Sequence, residues 1–154
     1  MLPENAKGWS YRLLFASYLK DARAVVIRDP FVRAFYQVKN VMEFLQMAYE
    51  LVPEGDEMTV HLVTQSDTES CIKQAELLDK LVETFTGTRI AFTWELDVSA
   101  GFHARSIVTD TGWKISVDRG LDIFLRYEAG AFSLEQALQE TRLTRGFEVT
   151  YLKG

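Results

Sequence analysis

The stretch that decides the reading of this chain runs His103-Ala-Arg105-Ser-Ile-Val-Thr-Asp110-Thr-Gly112-Trp-Lys-Ile-Ser-Val-Asp-Arg-Gly120. Its first half alternates on an extended backbone, so His103, Arg105, Ile107 and Thr109 are expected to share one side of a strand. An imidazole would then stand beside a cation whose flat fork can grip phosphate oxygens in pairs. Asp110 ends that strand and opens an Asp-Thr-Gly turn, good turn chemistry on its own account. Beyond the turn, Trp113, Ile115 and Val117 alternate with Lys114, Ser116 and Asp118. This predicts a partner strand with one buried face, and makes Lys114 a candidate second cation.

Working back from this hairpin, the chain alternates strands with helices. Residues 10–20 predict a short helix packing Leu13, Leu14, Tyr18 and Leu19. Residues 22–28 contain Ala24-Val-Val-Ile27, the continuous apolar run of a strand buried on both faces. Asp29-Pro30 reads as an N-cap followed by proline at the first helical position. Behind it, Phe31, Ala34, Phe35, Val38, Val41, Met42, Leu45 and Ala48 recur at helical spacing. That helix should stop near Val52-Pro53, with residues 53–56 as a turn. Residues 58–64 form the next strand, and Ser66-Asp-Thr-Glu69 has the form of a capping box. It introduces a helix aligning Ile72, Ala75, Leu78, Val82 and Phe85, ending around Gly87. Residues 89–96 are a third strand. After the hairpin, Ser133 to Gln136 forms another capping box, and residues 147–152 close the chain as a strand.

The order βαβαβ, then ββ, α, β, predicts an α/β fold: a mixed, mainly parallel sheet flanked by helices, with right-handed crossovers. Ligands in such sheets sit beyond the strand ends. With 154 residues and no linker-like stretch, the chain is read as an N-terminal extension, 1–9, and a single domain, 10–154.

Composition bounds the function. The chain is 47% apolar and 25% charged, that of a soluble globular domain. No apolar run approaches a membrane span, and the first residues lack the layout of a signal peptide. A lone cysteine, Cys71, excludes an internal disulfide and fits a reducing compartment, so a cytoplasmic location is expected. Net charge is −5, unfavourable to non-specific nucleic-acid binding. The charge is uneven: residues 40–100 carry three Lys/Arg against twelve Asp/Glu, whereas residues 1–39 carry seven against three. No phosphate-binding loop, dinucleotide fingerprint or metal-ligand spacing is present, so neither cofactor nor metal is expected.

The motif His103-x-Arg105-x4-Asp110 is one residue type from the H-x-K-x4-D signature of the phospholipase D superfamily. The chain more closely resembles the phospholipase-D-like domain found at the C-terminus of MIT-domain-containing proteins, and its prokaryotic relatives. Ser10-Tyr11, Leu14-Phe15, Tyr18-Leu19, Asp29-Pro30-Phe31, Gln37-x-x-Asn40-x-x-Glu43-Phe44, Gly112-Trp113-x-Ile115 and Arg119-Gly120-Leu121-Asp122-Ile123-Phe124 carry the likeness beside the motif. The resemblance implies a homodimer that associates with phospholipid headgroups or membrane surfaces and serves an ESCRT- or AAA-ATPase-linked system without acting as a phospholipase. On that reading the domain is a binding or scaffold module, cytoplasmic and peripheral at membranes. His103, Arg105, Lys114 and Arg119 are then the candidate ligand-binding residues.

The chain departs from the enzymes of the superfamily in three ways. Arg105 stands for lysine, the Gly-Ser beyond the motif is replaced by Val117-Asp118-Arg119-Gly120, and there is a single motif. Their chemistry needs one histidine to attack phosphorus and one to protonate the leaving group. A homodimer could bring the second across a two-fold axis. The alternative is therefore a homodimeric phosphodiesterase, nuclease or phospholipase, with His103 from each subunit and Arg105 and Asp110 completing its site; nucleic acid would be a partner only then. His103 stays open between nucleophile, phosphate ligand and polar strand-end residue. Arg105 is open between phosphate and a carboxylate such as Asp110 or Asp122. Arg119 and Asp122 could pair to fix a loop, and His61 reads as a satisfied structural histidine.

Overall fold

The computed structural model describes residues 6–99, 104–124, 139 and 142–154. Helix α1 (Tyr11–Leu19) starts where Ser10, in extended conformation, accepts the Leu13 amide at 3.0 Å, a side-chain cap for an otherwise orphaned donor. It buries Tyr11, Leu14, Phe15 and Leu19. Leu13, expected in the core, is 62% exposed, because the face containing Tyr11 and Phe15 is the one turned to the sheet.

Strand β1 (Ala24–Arg28) feeds helix α2 (Phe35–Leu51), strand β2 (Met58–Thr64), helix α3 (Cys71–Phe85) and strand β3 (Ile90–Leu96). Strands β4 (Ser106–Thr109), β5 (Trp113–Val117) and β6 (Val149–Lys153) follow. The sheet order is β3-β2-β1-β4-β5-β6. Pairing is parallel through β1, β2 and β3 and antiparallel from β1 through β4, β5 and β6. The α/β expectation of a mixed sheet holds, but among the described strands three of the five pairings are antiparallel where mainly parallel pairing was expected. The reason is that the strands after β3 add on the far side of β1, and β4 turns into β5 with no helical crossover between them. The hairpin at Asp110-Thr-Gly112 forms where the turn residues placed it, with Gly112 at φ 98°. The expected strand from His103 begins only at Ser106.

Two successive crossovers stepping the same way along a sheet put their helices on one face. The register confirms this. Trp94, Leu62, Ile27, Ile107, Ile115 and Tyr151 form one lateral row. Trp94 donates to Asp79 of α3, and Tyr151 donates to the Leu14 carbonyl of α1. Tyr11 of α1 in turn packs on Phe44 of α2. The adjacent row, Thr93, His61, Val26, Val108, Lys114 and Leu152, points away from α1, α2 and α3. Among the described residues that face is open, which is why Val26 is only half-buried where burial on both faces was expected.

Two helix starts differ from expectation. Asp29 does not cap α2; the helix begins at Phe35, where the Gln37 side-chain oxygen accepts the amides of Arg33 and Ala34. Asp29 is drawn instead into a tertiary contact. Phe31 and Phe35 consequently lie outside the packed face and are exposed, while Phe44 and Met47 join it. Likewise, Ser66 does not open α3: Asp67 accepts the Ser70 amide at 2.7 Å and the helix starts at Cys71. Ile72 is then exposed. The expected helix after Ser133 lies outside the described residues. No helix among the described residues is long and apolar enough to cross a membrane.

Candidate functional site

The C-terminal end of β1 meets the N-terminal end of β4, and there the chain builds a small buried cluster around Arg105. Asp29 follows β1 directly and is buried. Its carboxylate accepts the Phe31 amide at 2.9 Å and also receives the Leu121 amide. Arg105 Nε approaches Asp29 Oδ1 at 3.6 Å, and its guanidinium carbon stands 4.7 Å from the centre of the Phe31 ring. A cation held over an aromatic face beside a buried carboxylate has its charge met inside the protein. Burial pushes the Asp29 carboxyl above its usual range, and the amide of Phe31 and the Arg105 charge only partly oppose this.

Gly120 makes that approach possible. It adopts φ +58°, and a Cβ there would fall 2.2 Å from Asp29 Oδ2 and 3.0 Å from Arg105 Cδ. The loop carrying Gly120 is pinned from below: the buried Tyr11 hydroxyl donates to the Leu121 carbonyl at 2.5 Å. Glu43 of α2 takes both terminal nitrogens of Arg142 at 2.8 and 2.7 Å, a fork-to-fork pair of the stronger kind. Asp29, Phe31, Gln37, Asn40, Arg105 and Asp122 line the cleft that remains. It encloses about 30 Å³, room for a water rather than for a phosphate group.

The expected site residues separate in space. Arg105 alone among the described ones lines this cleft. Asp110 lies at the opposite end of β4, where it accepts the Arg23 amide at 3.0 Å and its own amide donates to Ala24. It is not a partner for Arg105. Lys114 pairs in register with Val108 and Leu152 on the open face of the sheet, so it is not a second cation at the cleft. Arg119 donates to the Gly146 carbonyl at 2.8 Å instead of pairing with Asp122. Asp122 faces Arg145 at 3.9 Å. His103 lies outside the described residues. His61 lies between Thr93 at 2.7 Å and Glu95 at 2.9 Å, a satisfied histidine as expected, though on the open face.

The cleft residues missed by reading periodicity were Asp29, Phe31, Gln37 and Asn40. Asp29-Pro30 has the form of a helix cap, which hid its tertiary use. Chemically, among the described residues the cleft's arginine is already met by Asp29, and its second carboxylate, Asp122, faces Arg145. No uncommitted cation among them is offered to an added anion there. Among the described residues no three His, Cys, Asp or Glu side chains gather as metal ligands.

Comparison with known proteins bears on this geometry. Residues 8–153 match the family described as "Phospholipase D-like domain at C-terminus of MIT". The chain is also similar to mouse (Mus musculus) MIT domain-containing protein 1, 32% identical over 136 residues, covering 86% of this chain and 52% of that protein. It thus spans about half the length of this curated relative.

Proposed function

Because the chain belongs to the family of phospholipase D-like domains found at the C-terminus of MIT proteins, we propose that it works as a non-catalytic binding and scaffold module. The observation that carries this reading is the state of Arg105. At the motif position where the enzymes keep a lysine for phosphate, this arginine is turned inward to Asp29 and covered by Phe31. Its charge is met by Asp29, Asp122 beside it faces Arg145, and the space left there is about 30 Å³. The motif cation thus holds two strand ends and the 119–124 loop together, and binding is assigned to surfaces away from it. Partner proteins of an ESCRT- or AAA-ATPase-linked system are the proposed binders, with the domain acting as a homodimer.

Vesicle flotation and phosphodiester hydrolysis test the reading together. Wild type and Arg105→Met, whose stem can still cover Phe31, would be compared on vesicles containing phosphatidylserine and phosphoinositides, and on bis(p-nitrophenyl) phosphate. The expected result is no turnover by either, and equal vesicle binding per folded molecule. Hydrolysis that disappears in His103→Ala, or flotation lost selectively in folded Arg105→Met, would overturn it.

A further inference from the structure

We propose that the groove between α2 and α3 docks an acidic, amphipathic segment of a partner protein; this rests on the scaffold reading and gives it a binding surface. The groove is the roomier of the clefts described, about 180 Å³, enough for one or two apolar side chains but well short of a typical small-molecule site. Val38 and Leu81, both buried, form its floor, and Met42 and Leu77 its half-buried sides. Phe35, 67% exposed, closes one end. An exposed aromatic beside an apolar trough suits an anchor residue.

Charge decides what the occupant must carry. Lys39 stands on the α2 wall and Lys80 on the α3 wall, and among the described residues no carboxylate lines the groove. This is unusual in its setting: residues 40–100 hold only three basic residues against twelve acidic ones. Two of the three, Lys73 and Lys80, lie seven apart on α3 and so share a helix face with Leu77. Lys73 is paired with Glu76 at 3.8 Å, which leaves Lys39 and Lys80 as the opposed pair. A ligand with an apolar stripe flanked on both sides by carboxylates would meet a lysine on each wall. That is the helix-in-groove mode, with anchors at i, i+3 or i+4, and i+7. An anionic membrane fits less well: two lysines facing inward across a concave trough fall short of the four to eight basic residues such surfaces recruit.

Two synthetic peptides test this on the full chain by fluorescence polarisation. Both carry leucines at i, i+3, i+4 and i+7; one is flanked by glutamates, the other by lysines. The acidic peptide should bind and the basic one should not, with amide shifts in the protein's NMR spectrum at Lys39, Met42, Lys80 and Thr84. Lys39→Glu with Lys80→Glu, both surface changes, should weaken the acidic peptide at least about tenfold and transfer the preference to the basic one. Equal binding of the two peptides, affinity unchanged by the double reversal, no binding of either, or shifts confined to the Arg105 cleft would each overturn the proposal. So would loss of flotation on phosphatidylserine vesicles in the double variant with peptide affinity intact. Loss of the groove would leave the hydrolysis and Arg105→Met results untouched, so the two readings fail separately.

Discussion

Strand β4 has one motif residue at each end, and the two ends differ in almost every respect. At the Arg105 end, a guanidinium over an aromatic ring approaches a buried carboxylate, and a glycine beside them has no room for a Cβ. At the Asp110 end, an exposed carboxylate accepts one amide from Arg23, and Gly112 turns the chain near its last residue. Strand rise puts these ends roughly 16 Å apart. A spacing that looks like one catalytic constellation in sequence is therefore two local structures, one an interior keystone and the other a turn.

The sharpest way to break this contrast is at the glycines. Gly120→Ala should cost about 3 kcal/mol, since left-handed strain adds to overlap with Asp29, and urea unfolding would read it. A cost under about 1 kcal/mol would mean that the cluster is looser than described. Gly112→Ala is the matched control: its Cβ would make one tight contact, with the Gly154 carbonyl at 2.9 Å, and no overlap with a buried carboxylate, so less should be lost.

Removing the cation comes next. Arg105→Met leaves Asp29 buried without its partner and should cost about 2 kcal/mol, below the range for fully buried pairs because Arg105 is partly exposed. The pH dependence of Asp29 sharpens the same point. Its carboxyl is raised above the ordinary 3.8 in the folded state, so its contribution to stability is complete below 3.8 and is lost as pH rises through the folded value. Asp29→Asn has no proton to lose and can still accept the Phe31 amide. The stability of this variant relative to wild type should therefore improve as pH rises from 3.8, and a difference flat with pH would contradict the assignment.

The smallest effect belongs to the other end of the strand. Asp110→Ala removes one exposed hydrogen bond to a backbone amide and should cost about 0.5–1 kcal/mol, less than Arg105→Met. Thermal melts of the two variants side by side check this order. An Asp110 effect as large as that of Arg105 would unite the two ends again.

Much of the fold was legible because it depends on local chemistry. β2 coincides with its apolar run, α2 ends before Val52-Pro53, and the turns at Gly55 and Gly112 adopt the positive φ that glycine allows. The site was less legible. Asp29 has the same identity whether it caps a helix or receives Arg105 across the sheet, and nothing within a few residues distinguishes the two uses. Gln37, Asn40 and Glu43 look like solvated helix positions, yet one caps α2, one lines the cleft and one grips Arg142.

By itself, then, the sequence determined the order of the described strands and helices, the hairpin after Asp110 and the motif pattern that carries the family resemblance, since periodicity and turn chemistry act over a few residues. Only the tertiary structure decided that Arg105 faces Asp29 and not Asp110, and that α1, α2 and α3 gather on one face of the sheet. It also decided that Lys39 and Lys80 oppose each other across a groove. These are contacts between segments distant in sequence, and whether a charge is met inside or offered to a partner depends on what burial places beside it.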